Sequence, residues 1–599
     1  MGRKPTGKPL VHRCQKLQKN GDTYVYERVR ILKPDKSGYD EKRRLLGILP
    51  PGSTDMFGTL LPTRPKRRGG DMSEPDAARP VEPRCSRSRT GMIDIIKFIS
   101  STSKIDEFLY DALPEEEGLV QKILTCAWYN FASDGDTWPG IKNWTTKYQG
   151  LMPYPYEPVS KDIYHELFVE LGKREDIRFH LFRRLADHLT EESILALDSS
   201  TFETESEQLA NVRKAPHKDG LIKNTYKVVF LYAIDYRRPV AYALIPGNIP
   251  DSETVANALL QVESLGLQDI EIVSDNGYCT AASVAVYLEN KQSFLTRIEA
   301  GTRWVSELVE KHRDELEHGG SILSCDPKFS GCMETVKHTF QRQLTKSGVR
   351  ETKSITGEVN VFLYFSSVNK AKDDVYFRTK YNSYKEDLML GRHLGKDRKA
   401  IEKFAKKHMV IERDGNGSII NIAPNRAECA KKLKYSGFLV LLSNKESDVE
   451  SALVRFRKRE YIEENIKNFK GHTGGRKPRV WSDDTLDGEI FVQFLSLILH
   501  ETFELRIQNM KTNLAQLNGD PDHDAPDVLD IERQLLSFLQ KTSLHDQLHW
   551  FDAIVTREYM QEESTSAWII KTETTKRDRM YLEMLGLSER PRNKLSTLF

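Results

Sequence analysis

The chain has 599 residues, 39% of them hydrophobic and 29% charged, a balance that fits a soluble globular protein rather than a disordered or membrane-bound one. At roughly 100–200 residues per domain it has room for three to five domains. Net charge is only +2, but residues 1–90 carry 21 Lys and Arg against 10 Asp and Glu, while the remaining 509 carry 68 against 77. A basic arm on a mildly acidic body fits a polyanion partner, and fits a solvated tail as well. The densest apolar run, Ile490 to Leu499, is shorter than the about 20 residues a bilayer span needs. Residues 1–30 hold no apolar stretch of signal-peptide type, so the expected address is the cytoplasm, in contact with the nucleoid, with no membrane partner. The seven cysteines include no C-x-x-C pair and read as free thiols of a reducing compartment.

In chain order, Asp22 to Leu32 alternates as a strand, Pro34 to Gly38 turns, and Arg43 to Leu49 returns, giving a basic β-hairpin module over 1–61. Residues 62–91, rich in proline and arginine, read as an extended linker. From 92 to 190 apolar residues recur at helical spacing, as in Ile93 to Ile99 and Asp162 to Leu171, and a helical domain that binds DNA ends is expected. The period then changes. Ile194–Leu197 is a short strand ending in Asp198, Tyr226–Ile234 a second and Pro239–Ile245 a third. A helix follows over Ser252–Leu265, capped by Asp251 or Ser252 and stopped by Gly266. Ile270–Val273 then leads to Asp275, a helix spans Thr280–Asn290, and Ser293–Ile298 is a fifth strand.

This βββαβαβ order is that of an RNase H-like core, an α/β fold with a mixed sheet. Its first part spans 191–299. An insertion over 300–435 holds strand-like runs such as Glu358–Tyr364 and a basic helix, Lys396–Lys407. The core resumes over 436–510 with the strand Gly437–Leu442, one long helix from about Glu446 to Lys470, and a dense apolar helix over 487–508. An acidic loop, Gly519 to Pro526, precedes a helical C-terminal region over 511–599.

Phosphoryl transfer on DNA needs an activated nucleophile, a stabilised leaving oxygen and charge neutralisation, which two Mg²⁺ ions roughly 3.5–4 Å apart supply from a few convergent carboxylates. Asp198 and Asp275 each follow an apolar strand; neighbouring strands would bring them to one end of the sheet. Either would serve equally as a turn former. Asp235, followed by Tyr-Arg-Arg, reads as a structural turn residue. On a continuous helix, Arg459, Glu463 and Lys470 fall within about 60° of Phe456. A carboxylate between cations suits a metal site beside a phosphate backbone, although spacing alone favours an ordinary ion-paired face.

These residues carry a resemblance. Phe456, Arg459, Glu463 and Lys470 resemble the "YREK" signature (Tyr, two residues, Arg, three, Glu, six, Lys) of bacterial insertion-sequence transposases of the DDE type. That family has an RNase H-like core interrupted by a β-rich insertion. Asp198-Ser-Ser-Thr201, Pro246-Gly-Asn-Ile-Pro-Asp251, Asp275-Asn-Gly-Tyr278, the strand Phe294-Leu-Thr-Arg297 and the strand from Gly437 to Asn444 resemble its other motifs, in the same order. The resemblance implies that Asp198, Asp275 and Glu463 are the catalytic metal ligands, for Mg²⁺ with Mn²⁺ as a substitute. It implies that Arg459, Lys470, Phe456 and Arg297 lie at the DNA, that the chain cuts element ends and joins 3′-OH groups to target DNA, and that it acts as a homodimer. Phe456 departs from the signature's Tyr and lacks its hydroxyl. A metal-dependent nuclease that cuts without joining, and a catalytically silent or domesticated DNA-binding protein, are the alternatives.

Overall fold

The computed structural model describes residues 10–17, 22–32, 39–50 and 84–597, apart from loops at 135–136, 191, 217–221, 268–269, 347–348, 392–397, 416, 472–479, 518–525, 561–565 and 588–594. The turn read at 34–38, most of the linker, the basic turn after Lys470 and most of the acidic loop lie outside the described residues. The chain forms two compact units, Met1–Val81 and Glu82–Phe599.

In the first unit, β1 (Leu10–Leu17), β2 (Thr23–Leu32) and β3 (Tyr39–Ile48) make an antiparallel sheet with β2 in the middle. The hairpin β2–β3 is the one its alternation predicts; β1 is an addition.

The second unit opens with β4 (Arg84–Arg89), in the segment read as linker. The physical reason for the correction is a partner far away in sequence: β4 pairs antiparallel with a C-terminal strand, Cys85 opposite Tyr559 and Arg89 opposite Val555. Six helices follow: α1 (Gly91–Ser103), α2 (Ile105–Ala112), α3 (Glu117–Ala132), α4 (Ile141–Lys147), α5 (Lys161–Lys173) and α6 (Glu175–Ala186).

The sheet then begins with β5 (Ile194–Glu203), β6 (Arg213–Pro216), β7 (Ile222–Ala233) and β8 (Arg238–Pro246). Then come α7 (Asp251–Ser264), β9 (Glu271–Ser274), α8 (Ala281–Glu289), β10 (Phe294–Ile298) and α9 (Arg303–Glu317). Gly266, with φ of +77°, ends α7 in the left-handed region, where a side chain would be strained. Thr280 and Ser283 form a capping box at the start of α8.

The segment after α9 is divided. Its long strands β11 (Ser330–Lys346) and β12 (Val349–Phe365) join the main sheet. The helices α10 (Ser367–Met389), α11 (Arg398–His408) and α12 (Arg426–Leu433) and the hairpin β13 (Met409–Arg413) with β14 (Ile419–Pro424) lie beyond it. Leu388, Ile401, Ala405, Met409 and Ile422 form a separate hydrophobic cluster there.

The chain returns through β15 (Phe438–Ser443) and two helices, α13 (Val449–Arg457) and α14 (Glu460–Gly471). One helix was expected here; the break at Lys458 and Arg459 divides it. The dense apolar stretch is α15 (Asp483–Leu517), buried along most of its length. The C-terminal region mixes α16 (Pro526–Lys541), α17 (Leu544–Trp550) and α18 (Lys576–Leu585) with β16 (Val555–Met560), β17 (Ser566–Lys571) and β18 (Leu595–Thr597). It is therefore not purely helical: its strands make a four-stranded sheet with β4, in the order β18-β17-β16-β4.

The main sheet has nine strands, in the order β11-β12-β15-β10-β9-β5-β7-β6, with β8 also on β7. It is mixed: β9 runs parallel to both β5 and β10, and the other pairs are antiparallel. Alternation puts Asp198 and Phe202 on the same face as their cross-strand partners Phe230 and Tyr226. The Phe469 ring meets Phe202 and Phe230 edge-on at 5.7 and 5.1 Å, so α14 lies over the face toward which Asp198 points.

Candidate active site

The register places the two aspartates. Leu197 of β5 pairs with Ser274 of β9, and Ser274 pairs with Thr296 of β10. One step further along each strand come Asp198, Asp275 and Arg297, in a row across three neighbouring strands. Asp198 is inside β5 rather than at its end, because β5 continues against β7 to Glu203. What ends at this point is β9: Asp275 is still extended, and a short 3₁₀ turn, Asn276–Tyr278, follows it.

The Asp198 carboxylate accepts the Ser199 N–H at 2.8 Å. Burial pushes its pKa up to about 6; the Ser199 N–H and the Arg459 guanidinium oppose the rise, and the charges of Glu463 and Asp275 add to it. Oδ1 of Asp275 is buried and has no hydrogen-bond partner among the described residues. An orphaned carboxylate oxygen at depth is costly, and a divalent cation with oxygen preference would satisfy it.

Arg459 stands in the turn between α13 and α14, its side chain only 9% exposed. Nη1 lies 3.8 Å from Oδ2 of Asp198, and Nη2 donates to Oε1 of Glu463 at 2.6 Å. Glu463 itself is half exposed, in the first turn of α14, where the helix dipole favours a negative charge. Phe456 is buried and its ring lies 5.4 Å from the Arg459 guanidinium, which makes it a platform for that side chain. Lys470 donates to the Thr201 carbonyl at 3.1 Å and stands over the Phe202 ring, so it points to the same strand as Asp198. Arg297 is exposed. Asp235 accepts the Ile194 N–H at 3.2 Å, in keeping with a structural role.

A polar network beside Asp198 was not read from the sequence. Asp251 accepts from the Ser199 hydroxyl at 2.7 Å and from Lys227 Nζ at 2.6 Å. The Tyr278 hydroxyl is buried close by; burial drives its pKa far up, and the charges of Asp251 and Asp198 add to the rise. Asp251 was expected as a cap. Its side chain instead ties the start of α7 to the residue after Asp198, and Pro250 occupies the cap position. The signal was present in the Pro246–Asp251 motif, but its partner Lys227 lies on another strand.

Residues 189–499 match the family described as "Transposase DDE domain". The matched span is more than half of the chain, and the chain belongs to this family of DDE transposases, whose activity is metal-dependent DNA transposition of mobile elements. No curated protein matches. Among solved structures the chain is similar to a cryo-EM structure of a piggyBac transposase synaptic complex with hairpin DNA. The two share 9% identity at a TM-score of 0.34, over 78% of this chain and 85% of that one, too remote to bear on the site. Among the described residues no helix is long and apolar enough to cross a membrane.

Proposed function

We propose that the chain is the transposase of a bacterial insertion sequence, with an RNase H-like core and a helix of the YREK type. In this reading Asp198, Asp275 and Glu463 hold two Mg²⁺ ions, or Mn²⁺ in their place. The observation that carries it is the row of Asp198 and Asp275 on adjacent strand positions, with Glu463 close enough for its charge to be felt at Asp198.

When bound, the ions would supply an activated oxygen nucleophile and a stabilised leaving oxygen. The protein's own groups do the rest. Asp198, its pKa about 6, presents a carboxylate that is largely ionised at neutral pH. Arg459, held on Phe456, turns from Glu463 to the non-bridging oxygens of the scissile phosphate, a bidentate match for its planar fork. Arg297 and Lys470 neutralise flanking phosphates. Asp251, Ser199 and Lys227 keep the Asp198 strand in place. Water would cut the element end first, and the freed 3′-OH would then attack target DNA.

The partner is DNA, both element ends and target, bound by a homodimer at the nucleoid. The segment 366–436 carries 17 Lys and Arg against 9 Asp and Glu, an excess of positive charge suited to a DNA end. The N-terminal module adds a basic arm, the helices of 92–190 contribute to end binding, and the C-terminal region to dimerisation.

The test is to incubate the full chain and Mg²⁺ with DNA carrying the gene's flanking ends, beside Asp198→Asn, Asp275→Asn and Glu463→Gln. End-specific 3′-OH products and joined strands are expected from the parent and from none of the variants, which should still bind DNA. Cleavage by Glu463→Gln at the parent rate would remove the catalytic assignment. Specific binding without cleavage by the parent would favour a silent DNA-binding protein.

A further inference from the structure

A second group of metal-ligating side chains lies between α14 and α15. His500, Glu501 and Glu504 of α15 each offer a ligand atom within 4.8 Å of the other two. Nδ1 of His500 is 4.0 Å from Oε1 of Glu501 and 3.8 Å from Oε2 of Glu504. That is too long for hydrogen bonds, but it suits atoms sharing an ion at ligand distances of about 2.0–2.2 Å. His500 and Glu504, four residues apart, share a helix face.

The surroundings are those of a built site. His500 and Glu501 are 7% and 5% exposed. The carboxamide of Asn468, on α14, donates to Oε1 of Glu501 at 3.1 Å and to Oε2 of Glu504 at 3.3 Å. The Tyr232 hydroxyl donates to the other oxygen of Glu501 at 3.3 Å. Outer donors of this kind orient metal-binding carboxylates. Asn465 of α14 is fully buried, with its carboxamide toward Glu501.

We propose that His500, Glu501 and Glu504 of α15 bind a divalent transition-metal ion of borderline softness, Zn²⁺, beneath the Asn468 carboxamide of α14. One imidazole nitrogen with two carboxylates suits such an ion better than Mg²⁺, which favours an all-oxygen shell. This site is separate from the first. Its three residues are distinct from Asp198, Asp275 and Glu463. Glu463 and Asn468 are five residues apart, about 140° around α14, and so face different ways. The proposal stands independently of the catalytic reading.

The experiment strips the full chain with a chelator and titrates it with ZnCl₂ by calorimetry, with metal content measured after gel filtration. The triple variant Asp198→Asn, Asp275→Asn, Glu463→Gln is expected to retain one equivalent of zinc and to gain thermal stability from it. Adding His500→Gln or Glu504→Gln to that variant should weaken binding by about tenfold or more and abolish the gain. No bound zinc in the triple variant, or undiminished binding with His500 and Glu504 both replaced, overturns the proposal. If the His500 change prevents folding, the stoichiometry of the triple variant decides. Loss of DNA cleavage in that variant is expected on the catalytic reading and says nothing against this site.

Discussion

Arg459 holds its guanidinium 3.8 Å from the Asp198 carboxylate, from the turn where the expected long helix breaks in two. Its single positive charge offsets one of the three carboxylates before DNA or metal arrives. Removing it should therefore not weaken cation binding; Arg459→Ala takes away a competing positive charge. It should slow strand cleavage by about 10²-fold or more, the usual cost of losing a donor aimed at developing charge. Calorimetry with Mn²⁺ and single-turnover cleavage separate the two effects. A large loss of Mn²⁺ affinity would mean that Arg459 organises the ligands rather than the phosphate.

The contact between α5 and α15 gives a stability prediction. A Cβ on Gly488 would stand 2.0 Å from the Phe168 carbonyl oxygen, and one on Gly172 would stand 1.9 Å from that of Asp484. The two helices cross with backbone against backbone, which only glycine allows. Gly488→Ala should destabilise the protein by about 1–3 kcal/mol or more through overpacking, with cleavage by the folded fraction unchanged. Denaturant melts check this; a variant as stable as the parent would show that the helices separate easily.

Most of the core could be read in advance because its signals are local. The run ending at Val273 declares a short buried strand, the run Ile194–Leu197 marks the first part of a longer one, and the shift from helical to alternating spacing near 193 marks the start of the sheet. What could not be read depends on distant partners. Arg84–Arg89 looks like linker until Val555–Met560 is placed beside it. Leu197 and Ser274 are separated by 77 positions, so only the sheet reveals that Asp198 and Asp275 are neighbours. The helix break at Lys458 and Arg459 carries neither glycine nor proline, so periodicity ran through it. His500, Glu501 and Glu504 were hidden inside an apolar helix, their meaning set by Asn465 and Asn468 on another.

Glu489 provides a pH-dependent prediction away from the carboxylate site. Burial raises its pKa from 4.5 to about 7, and the Trp138 indole N–H, donating at 3.0 Å, lowers it only in part. A carboxyl raised on folding contributes fully below its unfolded pKa, and its contribution is lost as pH rises through the folded value. The loss amounts to about 3 kcal/mol well above neutrality. Glu489→Gln keeps the acceptor for Trp138 and removes the charge. The variant should melt with the parent at about pH 4 and a few degrees above it at about pH 8.5. Glu501 titrates in the same direction, so the difference between variant and parent isolates Glu489. Equal melting at both pH values would place the Glu489 charge in contact with water.

The boundary of the basic arm is open to a test by truncation. The hydrophobic core of the second unit begins at Met92 and includes no residue of the first unit among the described residues. Cutting after Val81 should therefore leave the rest folded, with a melting temperature close to that of the full chain. Cutting ten residues further on also removes β4, and with it the ladder to Val555–Met560 and the ion pair of Arg89 with Asp552 at 2.8 Å. That longer truncation should expose the β16 edge, lower the melting temperature and promote association. The shorter one answers a cleaner question. If the arm contacts phosphates, losing residues 1–81 should flatten the salt dependence of end binding, since each contact contributes about 0.9 to the slope. An unchanged slope, in a truncated protein that melts as the parent does, would show that the arm makes no DNA contact and that the basic insertion carries the electrostatic part of binding by itself.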